Sequence, residues 1–185
     1  MLLKRIFDLL FSIVALILVG WLIVLCFIIA SIETQSNGIF KQQRVGQFGK
    51  LFTIYKLKTM HPETEAVTFF GKYFRKYKLD EFPQFYNVLI GDMSVVGPRP
   101  DVLGYYDQLT GENRKILELK PGITSEASLK YYNEDQILEA QSDANAYNDS
   151  VIFPDKIKMN LEYYYKQSFI LDVKIILKTI KNLIS

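Results

Sequence analysis

Leu9-Leu10-Phe11-Ser12-Ile13-Val14-Ala15-Leu16-Ile17-Leu18-Val19-Gly20-Trp21-Leu22-Ile23-Val24-Leu25-Cys26-Phe27-Ile28-Ile29-Ala30-Ser31-Ile32 is a run of 24 residues without a charged side chain, flanked by Lys4-Arg5 before it and by Lys41, Arg44 and Lys50 after it. An apolar helix needs ~20 residues to cross the ~30 Å hydrocarbon core, and at about 1.5 Å per residue this run reaches about 36 Å. It is long enough to span, and it is too long for a signal peptide and lacks the small-residue cleavage site of one. Lysine and arginine favour the cytoplasmic side of a membrane, whereas a straight crossing would leave cations on both faces. The symmetric flanks favour a helix that enters and returns, with Gly20 as the point where it could bend. Residues 1–36 are read as the anchor and residues 37–185 as the domain it carries.

Without the anchor roughly 150 residues remain, which suits one domain with its own core. The net charge of +2 is too small for a general nucleic-acid-binding surface, so nucleic acid is excluded as a partner. Cys26 is the only cysteine and His61 the only histidine. That rules out an internal disulfide and a cysteine-rich zinc site, and it fits a reducing compartment. His61 precedes Pro62 with no nucleophile motif nearby and reads as a loop residue. The Asn148-Asp149-Ser150 sequon is set aside as a chance match on a domain read as cytoplasmic. Dinucleotide-binding glycine patterns, P-loops and repeats are lacking.

Beyond the turn at Ser36-Asn37-Gly38, Ile39 to Val45 and Leu51 to Met60 read as two strands of a β-hairpin around Gly46-Gln47-Phe48-Gly49. Lys56 and Lys58, two apart on the second strand, are expected on one face, either as a solvated edge or as ligands for an anion. Thr68 to Lys78 reads as a helix with Phe69, Phe70, Tyr73, Phe74 and Tyr77 on one side and Lys72, Arg75 and Lys76 on the other, suited to a bilayer interface or to packing on a core. Asp101 to Glu118 and Asn133 to Gln141 read as helical, Lys120-Pro121-Gly122 as a turn, and Asp143 to Pro154 as a loop. Phe169 to Ile184 carries Lys174, Lys178 and Lys181 in one stripe, an interfacial-helix pattern, and Tyr163-Tyr164-Tyr165 precedes it as a candidate aromatic belt. The fold class expected is α+β: a mostly helical single domain with a small β-hairpin, a re-entrant N-terminal membrane helix and amphipathic interfacial helices.

The densest polar stretch runs from Arg75 to Arg99. Asp80 and Glu81 are adjacent, so on a helix they diverge by about 100° and can take separate roles, one as nucleophile and one as proton acceptor or orienter. They would equally serve as acids stabilising a helix start. Gly97-Pro98-Arg99-Pro100 presents a guanidinium from a proline-stiffened turn, either as a fork for phosphate oxygens or as a solvated surface residue. A carboxylate pair, cations and a lipid-facing surface together suggest transfer of a phosphorylated group to or from a lipid phosphate.

Lys4-Arg5-Ile6-Phe7-Asp8, Tyr55-Lys56-Leu57-Lys58-Thr59-Met60, Leu79-Asp80-Glu81-Phe82-Pro83-Gln84, Asn87-Val88-Leu89-Ile90-Gly91-Asp92-Met93-Ser94 and Val96-Gly97-Pro98-Arg99-Pro100 resemble, in this order, the bacterial sugar transferases, the monotopic polyprenyl-phosphate phosphoglycosyltransferases. The resemblance continues through Lys120-Pro121-Gly122-Ile123-Thr124 and Leu171-Asp172-Val173-Lys174-Ile175-Ile176. It implies an enzyme at the cytoplasmic face of the bacterial inner membrane that moves a phosphosugar from a UDP-sugar to polyprenyl (undecaprenyl) phosphate. This would be the first membrane step of a surface glycan. By the same resemblance Asp80 is the nucleophile that displaces UMP, and Glu81 assists. The resemblance likewise implies Mg²⁺ at Asp80 and phosphate contacts from Arg75 and Arg99, with Lys56 and Lys58 as further substrate-binding candidates. Two departures stand out: Gly20-Trp21 occupies the place of the family's helix-breaking Ser-Pro pair, and Tyr132 lies where many relatives carry an arginine. The alternatives are a membrane-tethered scaffold that has lost turnover, and direct glycosyl transfer with UDP as product.

Overall fold

In the computed structural model, which describes residues 2–184, the apolar run lies inside α1 (Leu2–Thr34), one helix that continues through Gly20-Trp21 without interruption. Ile17, Leu18, Trp21 and Val24 are exposed along it, as an apolar helix in contact with lipid requires. Both of its ends are fastened to the same domain. At the start, Arg5 donates to the carbonyls of Val88 and Leu89 at 2.6 and 3.0 Å, Lys4 pairs with Asp172, and the buried Asp8 carboxylate accepts from the Val95 amide at 3.0 Å. Towards the other end, Cys26 and Ala30 pack with Leu57 and Phe74. The Glu33 carboxylate accepts the Phe70 amide. The Lys4-Arg5-Ile6-Phe7-Asp8 motif thus acts as a clamp as well as a charged flank.

The expected hairpin is present: β1 (Ile39–Val45) and β2 (Leu51–Leu57) pair antiparallel, with Ile39 opposite Leu57 and Val45 opposite Leu51. The second strand stops three residues earlier than read, although Met60 bridges to Val67. Next comes α2 (Phe69–Lys76), capped by the Thr68 side chain, which accepts from the Gly71 amide. Its buried face is Gly71 and Phe74, while Phe69, Phe70, Tyr73 and Tyr77 are exposed. After a single 3₁₀ turn, Leu79–Glu81, α3 (Gln84–Ile90) ends at Gly91. Asn87, fully buried, joins α3 to β2: its Oδ1 accepts from the Tyr55 amide and its Nδ2 donates to the Thr53 carbonyl at 2.7 Å.

A short parallel pair absent from the sequence reading, β3 (Ser94–Val96) and β4 (Gly122–Thr124), lies at the centre. Backbone meets backbone there: a Cβ on Gly97 would lie 2.3 Å from the Lys120 carbonyl, and one on Gly122 2.1 Å from the Gly97 nitrogen. No other residue fits at either position. Val88, Met93, Val95, Val96, Ile54 and Ile175 form the core around this pair, each buried side chain contributing roughly 1.5–3 kcal/mol.

Downstream the structure differs from the reading in three places. Residues 101–118 form two 3₁₀ stretches, Tyr106–Gln108 and Gly111–Glu118, in place of an α-helix, because Gly104 and Gly111 take positive φ and interrupt it. A short helix, α4 (Glu126–Lys130), precedes α5 (Glu134–Glu139). The segment read as a loop is helical: α6 (Ala144–Tyr147) passes through a π turn at Asn148–Ile152 into α7 (Phe153–Lys166). Pro154 sits in the first turn of α7, where a missing amide hydrogen costs nothing. The chain closes with α8 (Phe169–Ile184), which turns Asp172, Ile175 and Ile176 inward and Lys174, Lys178 and Lys181 outward.

Candidate active site

Asp80 and Glu81 lie on the 3₁₀ turn between α2 and α3, each only 8% exposed. Lys78 introduces the turn in the left-handed conformation, φ +54°. Three residues complete a 3₁₀ turn, so neighbouring side chains diverge by about 120°, and the two acids meet different surroundings.

Glu81 is gripped. Arg99 reaches it as a fork, Nη1 donating to Oε2 at 3.1 Å and Nη2 to Oε1, and Lys56 Nζ donates to Oε1 at 3.2 Å. Each cation arrives on its own support. Lys56 projects from β2. Arg99 leaves the Gly97-Pro98-Arg99-Pro100 turn, which is pinned to β4 by the Gly97 amide on the Thr124 carbonyl and the Gly122 amide on the Pro98 carbonyl, at 3.0 and 2.8 Å. Burial would raise the Glu81 pKa, but Arg99 and Lys56 outweigh it and hold the carboxyl well below the ordinary carboxylate range. Asp80 is the opposite case. Its Oδ1 is buried without a hydrogen-bond partner. Burial first, and the charge of Glu81 second, push its carboxyl up to about 6, against the pull of Lys56, Lys78 and Arg99.

The expected cations therefore do different things. Lys56 and Arg99 converge on Glu81, so the Arg99 fork grips a protein carboxylate. Arg75 hydrogen-bonds to Thr59 Oγ1 at 2.9 Å and Lys58 to Ser36 Oγ at 2.8 Å, and neither joins the dyad. Lys58 lies one residue past the end of β2, so the strand alternation that would have aligned it with Lys56 no longer holds. Two neighbours of the site escaped the sequence reading. Lys78 acts on both acids, and its Nζ lies 5.4 Å from the centre of the Tyr132 ring. Arg44, read only as a flanking cation, stands 3.7 Å from Asp101 and feels the charges of Arg99 and Glu81. Its Nε is buried without a partner. The sequence signal for Lys78 was its place two residues before Asp80; nothing local pointed to Arg44.

Among the described residues no group of three or more His, Cys, Asp or Glu side chains is arranged to hold a metal ion. A Mg²⁺ ion does not need one, since it is commonly held by one or two carboxylates together with substrate phosphates and water. With Glu81 engaged by two cations, the unpartnered Asp80 Oδ1 is the protein oxygen in the dyad that fits such an ion.

Comparison with known proteins gives a match to the family model described as "Bacterial sugar transferase" over residues 1–185. The chain is 32% identical to "Uncharacterized sugar transferase EpsL" of Bacillus subtilis, over 100% of this chain and 88% of that protein. It is 32% identical to "UDP-N-acetylgalactosamine-undecaprenyl-phosphate N-acetylgalactosaminephosphotransferase" of Aeromonas hydrophila, over 98% of this chain and 44% of the relative. With "UDP-glucose:undecaprenyl-phosphate glucose-1-phosphate transferase" of Escherichia coli it shares 32% identity, over 97% of this chain and 39% of the relative. The chain thus spans most of the first of these proteins and less than half the length of the other two.

Proposed function

Since the chain belongs to the bacterial sugar transferase family, we propose that it is a phosphoglycosyltransferase that carries a sugar phosphate from a UDP-sugar to polyprenyl phosphate through a covalent bond to Asp80. The observation that carries this reading is the asymmetry of the carboxylate pair: Glu81 is neutralised by two cations, while Asp80 keeps an unpartnered, buried oxygen and a raised pKa. Two carboxylates whose surroundings push their pKa values apart are suited to different tasks. Asp80 is the more basic and the better nucleophile. Glu81, ionised and held, is a poor proton acceptor, and its work is to fix Lys56 and Arg99 beside the reacting phosphate.

In the first step an Asp80 carboxylate oxygen forms a bond to the β-phosphorus of the donor. The bond from that phosphorus to the α–β bridging oxygen breaks, and UMP leaves. In the second step a phosphate oxygen of the polyprenyl acceptor attacks the same phosphorus, the acyl phosphate bond breaks, and Asp80 returns to its carboxylate. Dividing the transfer this way replaces one difficult displacement by two easier ones. Mg²⁺ at Asp80 and the donor phosphates would neutralise charge on the diphosphate. An acceptor anchored by an isoprenoid keeps its phosphate at headgroup depth. The exposed apolar face of α1 and the exposed aromatic residues of α2 support a membrane location for the domain. The same reading takes α1 as re-entrant and the domain as lying on the cytoplasmic face of the inner membrane.

The test is nucleotide release. Purified chain given a panel of UDP-sugars, Mg²⁺ and polyprenyl phosphate is expected to release UMP with its proper donor, and Asp80→Asn to release none. Release of UDP would indicate direct glycosyl transfer and overturn the reading, and absence of turnover with every donor would favour the scaffold alternative.

A further inference from the structure

Lys56, Lys78 and Arg99 act on the two carboxylates of the dyad. Two of the three are already engaged, because Lys56 and Arg99 are both hydrogen-bonded to Glu81. Lys78 is different: among the described residues its ammonium makes no hydrogen bond or ion pair, and its Nζ lies 5.4 Å from the centroid of the Tyr132 ring. The lysine backbone is left-handed at φ +54°, a strained conformation for a residue other than glycine. Tyr132 also lines an open groove of about 720 Å³ with Leu129, Lys130, Asn133 and Gln136. A cation supported only by an aromatic face keeps its three donors free for an anionic ligand.

We infer that Lys78 is a donor-binding residue that grips the diphosphate of the UDP-sugar, and that Tyr132 positions it by holding the ammonium over its ring. This rests on the proposed donor chemistry and adds to it a cation beside the dyad that, among the described residues, forms no ion pair with a protein carboxylate. The departure at Tyr132 then has a physical sense. A tyrosine cannot pair with phosphate as a cation, but it can steer one that does.

UDP is the probe, titrated into the full chain in detergent by calorimetry, with uridine followed in parallel by saturation-transfer NMR. Asparagine tolerates the left-handed backbone, so Lys78→Asn removes the charge without straining the turn. Lys78→Asn should weaken UDP binding about 10- to 100-fold, the loss expected for a charge-assisted contact. Uridine binding should stay as in the parent, and Lys78→Arg should restore most of the UDP affinity. Tyr132→Phe keeps the ring and should bind UDP as before; Tyr132→Leu should weaken it about 2- to 5-fold. In turnover the Lys78→Asn loss should appear mainly in KM. If Lys78→Asn binds UDP like the parent, or loses uridine as strongly as UDP, the assignment is overturned while the donor reading stands. A parent chain that binds no UDP overturns both.

Discussion

Asp80 and Glu81 are neighbours with opposite fates, and the difference lies in what reaches them. Glu81 receives a guanidinium and an ammonium; Asp80 receives neither and keeps a buried oxygen without a partner. The Asp80 pKa rises from 3.8 to about 6, so the fold favours its protonated form. That contribution to stability is present below about pH 3.8 and is lost as the pH rises through about 6. A shift of this size corresponds to roughly 2–3 kcal/mol. Asp80→Asn, which cannot ionise, is therefore expected to melt higher than the parent at pH 7.5, with the gap closing towards pH 4. Single-turnover UMP release should run the other way, rising with pH as the proposed nucleophile ionises, with a midpoint that falls as the Mg²⁺ concentration is raised. A melting gap independent of pH would contradict the burial argument. The dyad was legible in the sequence because the two acids are adjacent. The pairing of Arg99 with Glu81 was not, since it depends on where a glycine-built contact between β3 and β4 brings a turn eighteen residues away.

At the scale of elements, legibility followed pattern length. The long apolar run gave α1, and alternation between glycine-containing turns gave the hairpin. Strands β3 and β4 have three residues each and carry too little period to read. The helix α7 was missed because Pro154 looked like the end of a loop, although it occupies a helical first turn. Gly104 and Gly111 turned an expected helix into 3₁₀ segments. The membrane helix poses the sharper question, since α1 is continuous where the family's Ser-Pro break would fall, yet both ends are clamped to one domain, Arg5 on α3 and Glu33 on α2. A domain on one side of a bilayer can hold both ends only if the helix does not cross. In a Cys26→Ala background, Leu2→Cys and Asn37→Cys are each expected to react with a membrane-impermeant thiol reagent from the cytoplasmic side alone. Labelling of position 2 from the opposite side would establish a crossing.

Across the whole molecule, the clamps on α1, the core around β3 and β4, and the Asn87 bridge from α3 to β2 support one small polar site. The apolar surfaces of α1 and α2 remain exposed. That arrangement suits a reaction between a soluble nucleotide donor and an acceptor that cannot leave the membrane, in which the protein holds the cargo between the two. The proposed reaction requires a bond between Asp80 and phosphorus. The direct measurement is intact-mass spectrometry of the full chain incubated with the UDP-sugar that supports turnover and Mg²⁺, without acceptor. The account predicts a gain of one sugar phosphate, absent from Asp80→Asn and discharged on adding polyprenyl phosphate. UMP release with no mass gain, or a gain that persists in Asp80→Asn, would contradict it.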